Sequence, residues 1–307
     1  MSERGYPTLN LRTVIEPATA GFWGTEDRTA GTRTAIRVVR NGDVAKDGYI
    51  PQSSLPVRWV TNKERDAALT LQSDCVLVSS GAYTGVTGRV LDDTADDLQV
   101  IVSNFVRRVR PLDGVDPGWL FHSLRSAGVQ AQVWPHTGGS AMPNLNRSFF
   151  ERCVLPIPRL AVQRRIAEIL DNVDDAIRAT EHLIAKLGQV KQGLLHDLLT
   201  RGISESGALR DPRRHPEQFT DTPLGSLPRA WAIQPCREVC PEIVVGIVIR
   251  PTQWYAPSGV PVLRSANVRE DGIDMSELMF MTATHNRALS KSAVSPGDVV
   301  RGRDVIT

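Results

Sequence analysis

The longest regular pattern in the chain is an apolar seam in its middle. Ile166, Leu170, Val173, Ile177, Ile184, Leu187, Leu194 and Leu198 recur in alternating steps of four and three, with Thr180 and Lys191 filling the two polar places. Steps of three and four place side chains on one stripe of an α-helix, and a stripe kept over more than four heptads is how helices pair in coiled coils. No proline interrupts residues 163–200; Pro156 and Pro158 precede the run and Gly202 follows it, so the pattern predicts one helix with a marked start and stop. At 1.5 Å per residue that helix would be roughly 55 Å long. A two-turn stripe would be ordinary core packing. This one is too long to bury its seam alone and reads as a spacer between domains.

On either side the pattern changes to short apolar, β-branched runs. Ala35 to Arg40, Cys75 to Ser79 and Val100 to Val109 read as strands, with turns at Asn41-Gly42 and Ser80-Gly81, and Pro117 to Ala127 reads as a short helix. Part of this pattern occurs twice. Ile36-Arg37-Val38-Val39-Arg40-Asn41-Gly42-Asp43-Val44 with Asp47-Gly48 matches Pro261-Val262-Leu263-Arg264-Ser265-Ala266-Asn267-Val268 with Asp271-Gly272. At the same offset Asp74 falls on Asp298. Two blocks in one order at one offset imply a duplicated domain. The expected organisation is α+β: a first domain over residues 1–157, a spacer helix over 158–203, a polar, proline-bearing linker over 204–223, and a second, similar domain from 224 to 307 that stops before any counterpart of residues 85–158.

Composition bounds the function without naming it. A chain of 307 residues with 41% hydrophobic and 23% charged residues is globular and large enough for two domains. The start has no apolar leader-like run and no eighteen apolar residues run together, which argues for a cytoplasmic protein and against membrane spanning. The net charge of +2 is nearly neutral, yet the cations are almost all arginine, the lysines being Lys46, Lys63, Lys186, Lys191 and Lys291. Arginine forks suit phosphate and guanine, and Arg107, Arg108 and Arg110 stand close together; biased codon usage gives the same composition. Cys236 and Cys240 have a spacing that zinc sites use, but no second pair completes four ligands, so Cys75, Cys153, Cys236 and Cys240 read as incidental thiols.

The loops that enzymes of the obvious classes require are missing. There is no Pro-Pro pair to build the Asp/Asn-Pro-Pro-aromatic loop of an adenine methyltransferase. Gly188 to Gly193 continues into Leu194-Leu195 and lies inside the helix, so it is no nucleotide-binding loop. Gly81 to Gly88 is glycine-rich with the wrong spacing for a dinucleotide site and reads as a turn. Ser79 and Ser80 lack a nucleophile elbow. The carboxylates Glu168, Asp171, Asp174, Asp175 and Glu181 read as a solvated helix face.

The stretch Leu155-Pro156-Ile157-Pro158-Arg159-Leu160-Ala161-Val162-Gln163-Arg164-Arg165-Ile166-Ala167-Glu168-Ile169-Leu170-Asp171, its continuation Asp174-Asp175-Ala176-Ile177, and Lys191-Gln192-Gly193-Leu194-Leu195-His196-Asp197-Leu198-Leu199-Thr200 resemble the central region of type I restriction-modification specificity subunits. Gly225-Ser226-Leu227-Pro228-Arg229-Ala230-Trp231 and Gly297-Asp298-Val299-Val300 resemble the same family's target-recognition domains. The resemblance implies a non-catalytic, sequence-specific subunit that reads a bipartite site on double-stranded DNA with two recognition domains, the second truncated here. It would dock methyltransferase (modification) subunits and a restriction/translocase subunit, and bind no cofactor itself: methyl donor, ATP and Mg belong to those partners. In full-length members a second long helix closes the seam; here a homodimer through the central helix would do so.

Side chains at base edges give specificity, while phosphate contacts only position. The expected DNA-binding residues are turn-proximal and polar or basic: Arg33, Arg40, Asn41, Ser79, Ser80, Tyr83, Arg89, Ser103, Asn104, Arg107 and His136. Each has a bland alternative as a solvated or internally bonded side chain, and Arg40, repeated as Arg264, suits a structural salt bridge equally well. Two other readings stand beside the first: an intact modification enzyme, disfavoured by the missing loop, and a truncated scaffold that pairs by its helix and no longer binds DNA.

Overall fold

Alternation decides the architecture of the first half. In the computed structural model, which describes residues 6–26, 33–44, 47–138, 142–240, 242–247, 251–269 and 272–301, strands run over Thr8–Asn10 (β1), Thr19–Ala20 (β2), Thr34–Val39 (β3), Tyr49–Pro51 (β4), Val57–Val60 (β5), Leu69–Thr70 (β6), Cys75–Val78 (β7), Thr87–Leu91 (β8), Val100–Val102 (β9), Val106–Val109 (β10), Thr137–Gly138 (β11), Asn144–Leu145 (β12) and Val154–Pro156 (β13). Helices cover Asn62–Ala68 (α1), Pro117–Arg125 (α2), Ala127–Gln130 (α3), Arg147–Arg152 (α4) and Leu160–Thr200 (α5). Two larger sheets form, in the orders β2-β10-β7-β8-β4 and β5-β3-β9-β6, with β3–β9 and β4–β8 parallel.

Period two distributes the side chains among three cores. Val39, Val100 and Val102 of one sheet meet Val76, Val78 and Val106 of the other, while Ile36, Val38 and Ile101 point the opposite way, packing with Val60 and Ala68. Leu77 and Val109 face the helical side, where Trp119, Leu120, Phe121 and Leu124 of α2, Phe149 of α4 and Ala167 of α5 complete the largest core. The run from Val100 to Val109 is therefore not one strand, as expected, but two strands in different sheets, broken at Ser103–Phe105. The other elements lie within two residues of expectation, except that α5 starts at Leu160.

The helix is 41 residues long. Its first turns dock through Gln163, only 2% exposed, whose Oε1 accepts from the Asp116 amide and whose Nε2 donates to the Pro158 carbonyl. From Ala179 to Lys191 every residue is exposed. At its far end Gly202, with φ +64°, turns the chain back; the backbone there is so close to the Trp231 ring that a Cβ would sit 2.6 Å from it. The stretch expected to be a linker is thus folded: Ser204 and Ala208, Gly202 and Arg210, and Asp211 with the Arg213 amide are all hydrogen-bonded.

The chain divides into units over Met1–Lys191 and Gln192–Thr307. The second holds a hairpin of Phe219–Thr222 (β14) and Gly225–Pro228 (β15), a short helix Cys236–Val239 (α6), strands Tyr255–Ala256 (β16), Val260–Val262 (β17), Val268–Arg269 (β18), Gly272–Ile273 (β19) and Met279–Met281 (β20), and Ala283–Ala288 (α7). Its details repeat those of the first. The Arg40 amide donates to Asp43 and the Asp43 amide to the Arg40 carbonyl; the Arg264 amide donates to Asn267 and the Asn267 amide to the Arg264 carbonyl. Asp74 Oδ2 accepts from the Leu71 amide as Asp298 Oδ2 accepts from that of Ser295, both at 2.8 Å. Thr61 caps α1 as Thr282 caps α7. Asp271, part of the sequence match, lies outside the described residues.

The repeated aspartates differ in burial, which separates motif from context. Asp74 is 0% exposed and holds Arg110 through two bonds of 2.8 and 2.7 Å; Asp298 is exposed. Breaking a buried pair strands its partner and costs about 3 kcal/mol, whereas an exposed turn carboxylate contributes about 1 kcal/mol or less. Asp74→Ala is expected to lower the urea unfolding free energy of the first unit by that larger amount, and Asp298→Ala to leave it unchanged, as monitored by tryptophan fluorescence.

Candidate functional site

The loops at one end of the two large sheets are bonded to one another. Val39 O at the end of β3 accepts from the Ser103 amide at 2.9 Å, and the Ser79 amide after β7 donates to Phe105 O at 2.9 Å, so the β9–β10 turn is held on both sides. The Leu145 amide donates to Ser79 O, the Gly81 amide to Pro143 O, and Asn41 Nδ2 to Ser80 O at 3.4 Å. Thr84 Oγ1 donates within reach of both Gly81 O and Pro143 O. Gly81 has φ +100°, a left-handed geometry only glycine adopts without strain, and it lies close under Asn41.

This framework presents Asn41, Asn104, Asn144 and the Arg40 side chain, with Tyr83 48% and Phe105 45% exposed and Met142 more so. It is polar and aromatic rather than cationic, because the Arg40 guanidinium is committed to Asp43, which raises its pKa through the hydrogen bond. Amides offering a donor and an acceptor side by side suit adenine edges, and exposed aromatic rings suit base faces or thymine methyls.

The expected contact residues divide on this frame. Arg40, Asn41, Tyr83 and Asn104 come together at its surface. Ser79, Ser80 and Ser103 belong to the same loops but are buried, so their side chains support the loops and do not reach a duplex docked on them. Ser80 Oγ has no hydrogen-bond partner among the described residues. Arg33 lies at the opposite end of β3 and donates to Thr25 Oγ1. Arg89 faces α5, its Nη2 3.4 Å from Asp171 Oδ1 and its guanidinium over Phe121. His136 is half-buried with Nδ1 3.1 Å from Ser148 Oγ. Arg107 is half-buried in β10 opposite Ala20 and Leu77. The close arginine run is no basic patch: Arg110 bonds Asp74, and Arg108 and Arg110 both donate to Leu69 O. Phe105, Asn144 and Met142 were missed. The turn splitting Val100–Val109 would have flagged Phe105; nothing in the local sequence flags the other two.

The helix carboxylates also need correction. Asp171 and Asp174 are not a solvated face but are bonded to the first unit, Asp171 to His122 Nε2 at 2.9 Å and Asp174 to Tyr49 OH at 2.9 Å. Of the seam residues, Ile166 packs against the main core, while Leu170, Val173, Ile177, Ile184, Leu187, Leu194 and Leu198 are exposed, Ile184 at 63%. Among the described residues no three His, Cys, Asp or Glu side chains converge to hold a metal ion, and no helix is long and apolar enough to cross a membrane.

Residues 38–189, which contain the end of β3, β4 to β13 and most of α5, match the family described as the type I restriction modification DNA specificity domain. Over this stretch, about half of its length, the chain carries a type I restriction-modification DNA specificity domain. It is 23% identical over 241 residues to the type I restriction enzyme MjaVIII specificity subunit of Methanocaldococcus jannaschii, covering 78% of this chain and 51% of that one. It is 22% identical over 192 residues to the EcoKI specificity subunit of Escherichia coli, covering 62% and 39%. The crystal structure of the HsdS subunit from Thermoanaerobacter tengcongensis aligns with 87% of this chain and 63% of that one at 19% identity and a TM-score of 0.43. The chain spans about half the length of the first of these relatives and less of the second.

Burial separates the thiols. Desolvation pushes Cys75 up to about 12 and Cys153 up to about 11, whereas Cys236 and Cys240 are exposed. In the folded protein a thiol reagent at pH 8 is expected to modify Cys236 and Cys240 only, and all four cysteines after unfolding. A raised thiol pKa keeps the proton in the folded state, so stability is full below about pH 9 and falls as pH rises toward the folded values. Chemical denaturation at pH 8 and pH 10.5 checks the sign.

Proposed function

We propose that this chain is the DNA-reading subunit of a type I restriction-modification complex, with its first unit reading one part of a bipartite site. The observation that carries the reading is the strand-end surface, where three asparagines and two exposed aromatic rings stand on loops cross-bonded by their own backbones. Rigid loops let amides discriminate bases, because a mobile donor can rotate to suit any edge. The chain itself performs no chemistry in this reading. Methyl donor, ATP and Mg act on modification and restriction/translocase subunits that it brings to the site, and α5 sets the distance between its two readers.

The exposed seam of α5 supports a partner helix. Monomers rarely leave so long an apolar stripe in water. A second copy of this chain, antiparallel on the first, would cover it. Light scattering at micromolar concentration is expected to give a dimer, and Ile184→Glu with Leu187→Glu a monomer; a monomeric parent chain removes this arrangement.

Long-read mapping of methylated bases in cells carrying the chain and its modification partner, with and without the chain, tests the main reading. A split motif is expected that disappears on deletion. Asn104→Ala and Asn41→Ala are each expected to weaken binding of that motif about 10-fold and to relax one base position, since a bidentate amide contact discriminates by about 1–3 kcal/mol. Phe105→Ala is expected to weaken it without relaxing an amide-read position. Unchanged methylation on deletion would instead favour the scaffold, which docks partners and leaves no footprint on DNA.

A further inference from the structure

The helix leaves the first unit through a compact set of directional bonds. Asp171 Oδ1 is 2.9 Å from His122 Nε2 and 3.4 Å from Arg89 Nη2. One turn later Asp174 Oδ2 accepts from Tyr49 OH at 2.9 Å and from Arg125 Nη1 at 3.2 Å. One turn further Arg178 lies 3.8 Å over the Tyr49 ring and is held by Asp175. Arg89 and Arg125 both stack on Phe121, so the partners of the two carboxylates share a ring as well. From Ala179 to His196 every residue of the helix is exposed.

Earlier contacts do not fix direction in the same way. Gly118 and Ala167 allow close approach, a Cβ on Gly118 falling 2.9 Å from that of Ala167, and Gln163 pins the first turn. They form a pivot about which the helix could tilt. Charge-assisted bonds lose strength steeply when misaligned, so bonds at Asp171 and Asp174 resist that tilt. The lever arm makes small errors large. From residue 178 to the end of α5 is ~33 Å, and a tilt of about 10° there moves the tip ~6 Å, nearly two base-pair steps.

We propose that Asp171 and Asp174 are positioning residues that set the bearing of α5 on the recognition unit and, through it, the gap between the DNA sequences that the complex reads. The consequence for the gap rests on the DNA-reading function proposed above; the bearing itself does not.

Pulsed electron-spin distance measurement on the full chain tests the bearing without DNA. Cys236→Ser and Cys240→Ser remove the exposed thiols, Arg147→Cys on α4, whose side chain is 91% exposed, and Lys186→Cys on α5 carry the labels, and excess unlabelled chain suppresses signals between copies. The parent is expected to give one narrow distance distribution. Asp171→Asn with Asp174→Asn should at least double its width while helix content by circular dichroism is retained; an unchanged width and mean overturns the proposal. Asp174→Arg alone should broaden it and Arg125→Asp added to it should narrow it again, which simple destabilisation would not do. If the double variant fails to fold, Tyr49→Phe removes one bond without changing charge and should broaden the distribution partially; no broadening again overturns the proposal.

Selection from a library of split DNA sites then tests the gap. The parent should prefer one spacing, and the Asp171→Asn, Asp174→Asn variant should recover the same half-sites over a spread of spacings. An unchanged spacing with a broadened helix overturns the link to the gap. Should the parent select no DNA, the DNA reading fails while the spin-label result still decides the bearing.

Discussion

The crossing of the chain from one sheet to the other at Ser103–Phe105 is the constraint on which the rest of the first unit depends. β9 pairs with β3 and β6, whereas β10 pairs with β7 and β2, so three residues must carry the backbone between layers. Both flanks of that turn are tied, to Val39 and to Ser79, which brings the loops after β3 and β7 to the same place. The valine core between the sheets keeps the layers in register beneath them. A loop surface cross-bonded by its own backbone follows from this one crossing, and it carries Asn41, Asn104 and Phe105.

The helix solves a different problem with different chemistry. Its first turns use small and amide side chains to come close, its middle turns use charges to set direction, and the remainder leaves an apolar stripe exposed. Apolar burial supplies affinity without direction. Placing the carboxylates at the point of departure puts the directional contacts where leverage on the free end is greatest.

The division between what the sequence revealed and what it hid follows range. The long helix, its stop at Gly202 and the β-branched strands are local patterns, and each reappears in the fold, as the Asp74 turn geometry does at Asp298. What failed was non-local. Within Val100–Val109 only Ser103-Asn104 hints at a turn, and the hint becomes a break because each half pairs in a different sheet. Asp171 and Asp174 read as a solvated face because their partners, on α2, β4 and β8, are far away in sequence. The same holds for the candidate interface: the turn residues were legible as turns, but only packing decides that Ser79 and Ser103 are inside and Phe105 outside.

The fate of the arginines shows why composition misled most about the interface. An arginine-rich chain invites a reading in which guanidinium groups meet phosphates. In the first unit Arg37 pairs with Asp96, Arg40 with Asp43, Arg58 with Glu26, Arg110 with Asp74 and Arg125 with Asp174. These arginines hold strand ends, turns and the helix in place, and the carboxylate bound to each offsets its charge. On the proposed reading, a surface built this way would gain little from long-range attraction to DNA and would depend on fit at short range. The near balance of 36 cations and 34 acidic residues lets so many arginines find a carboxylate within the frame.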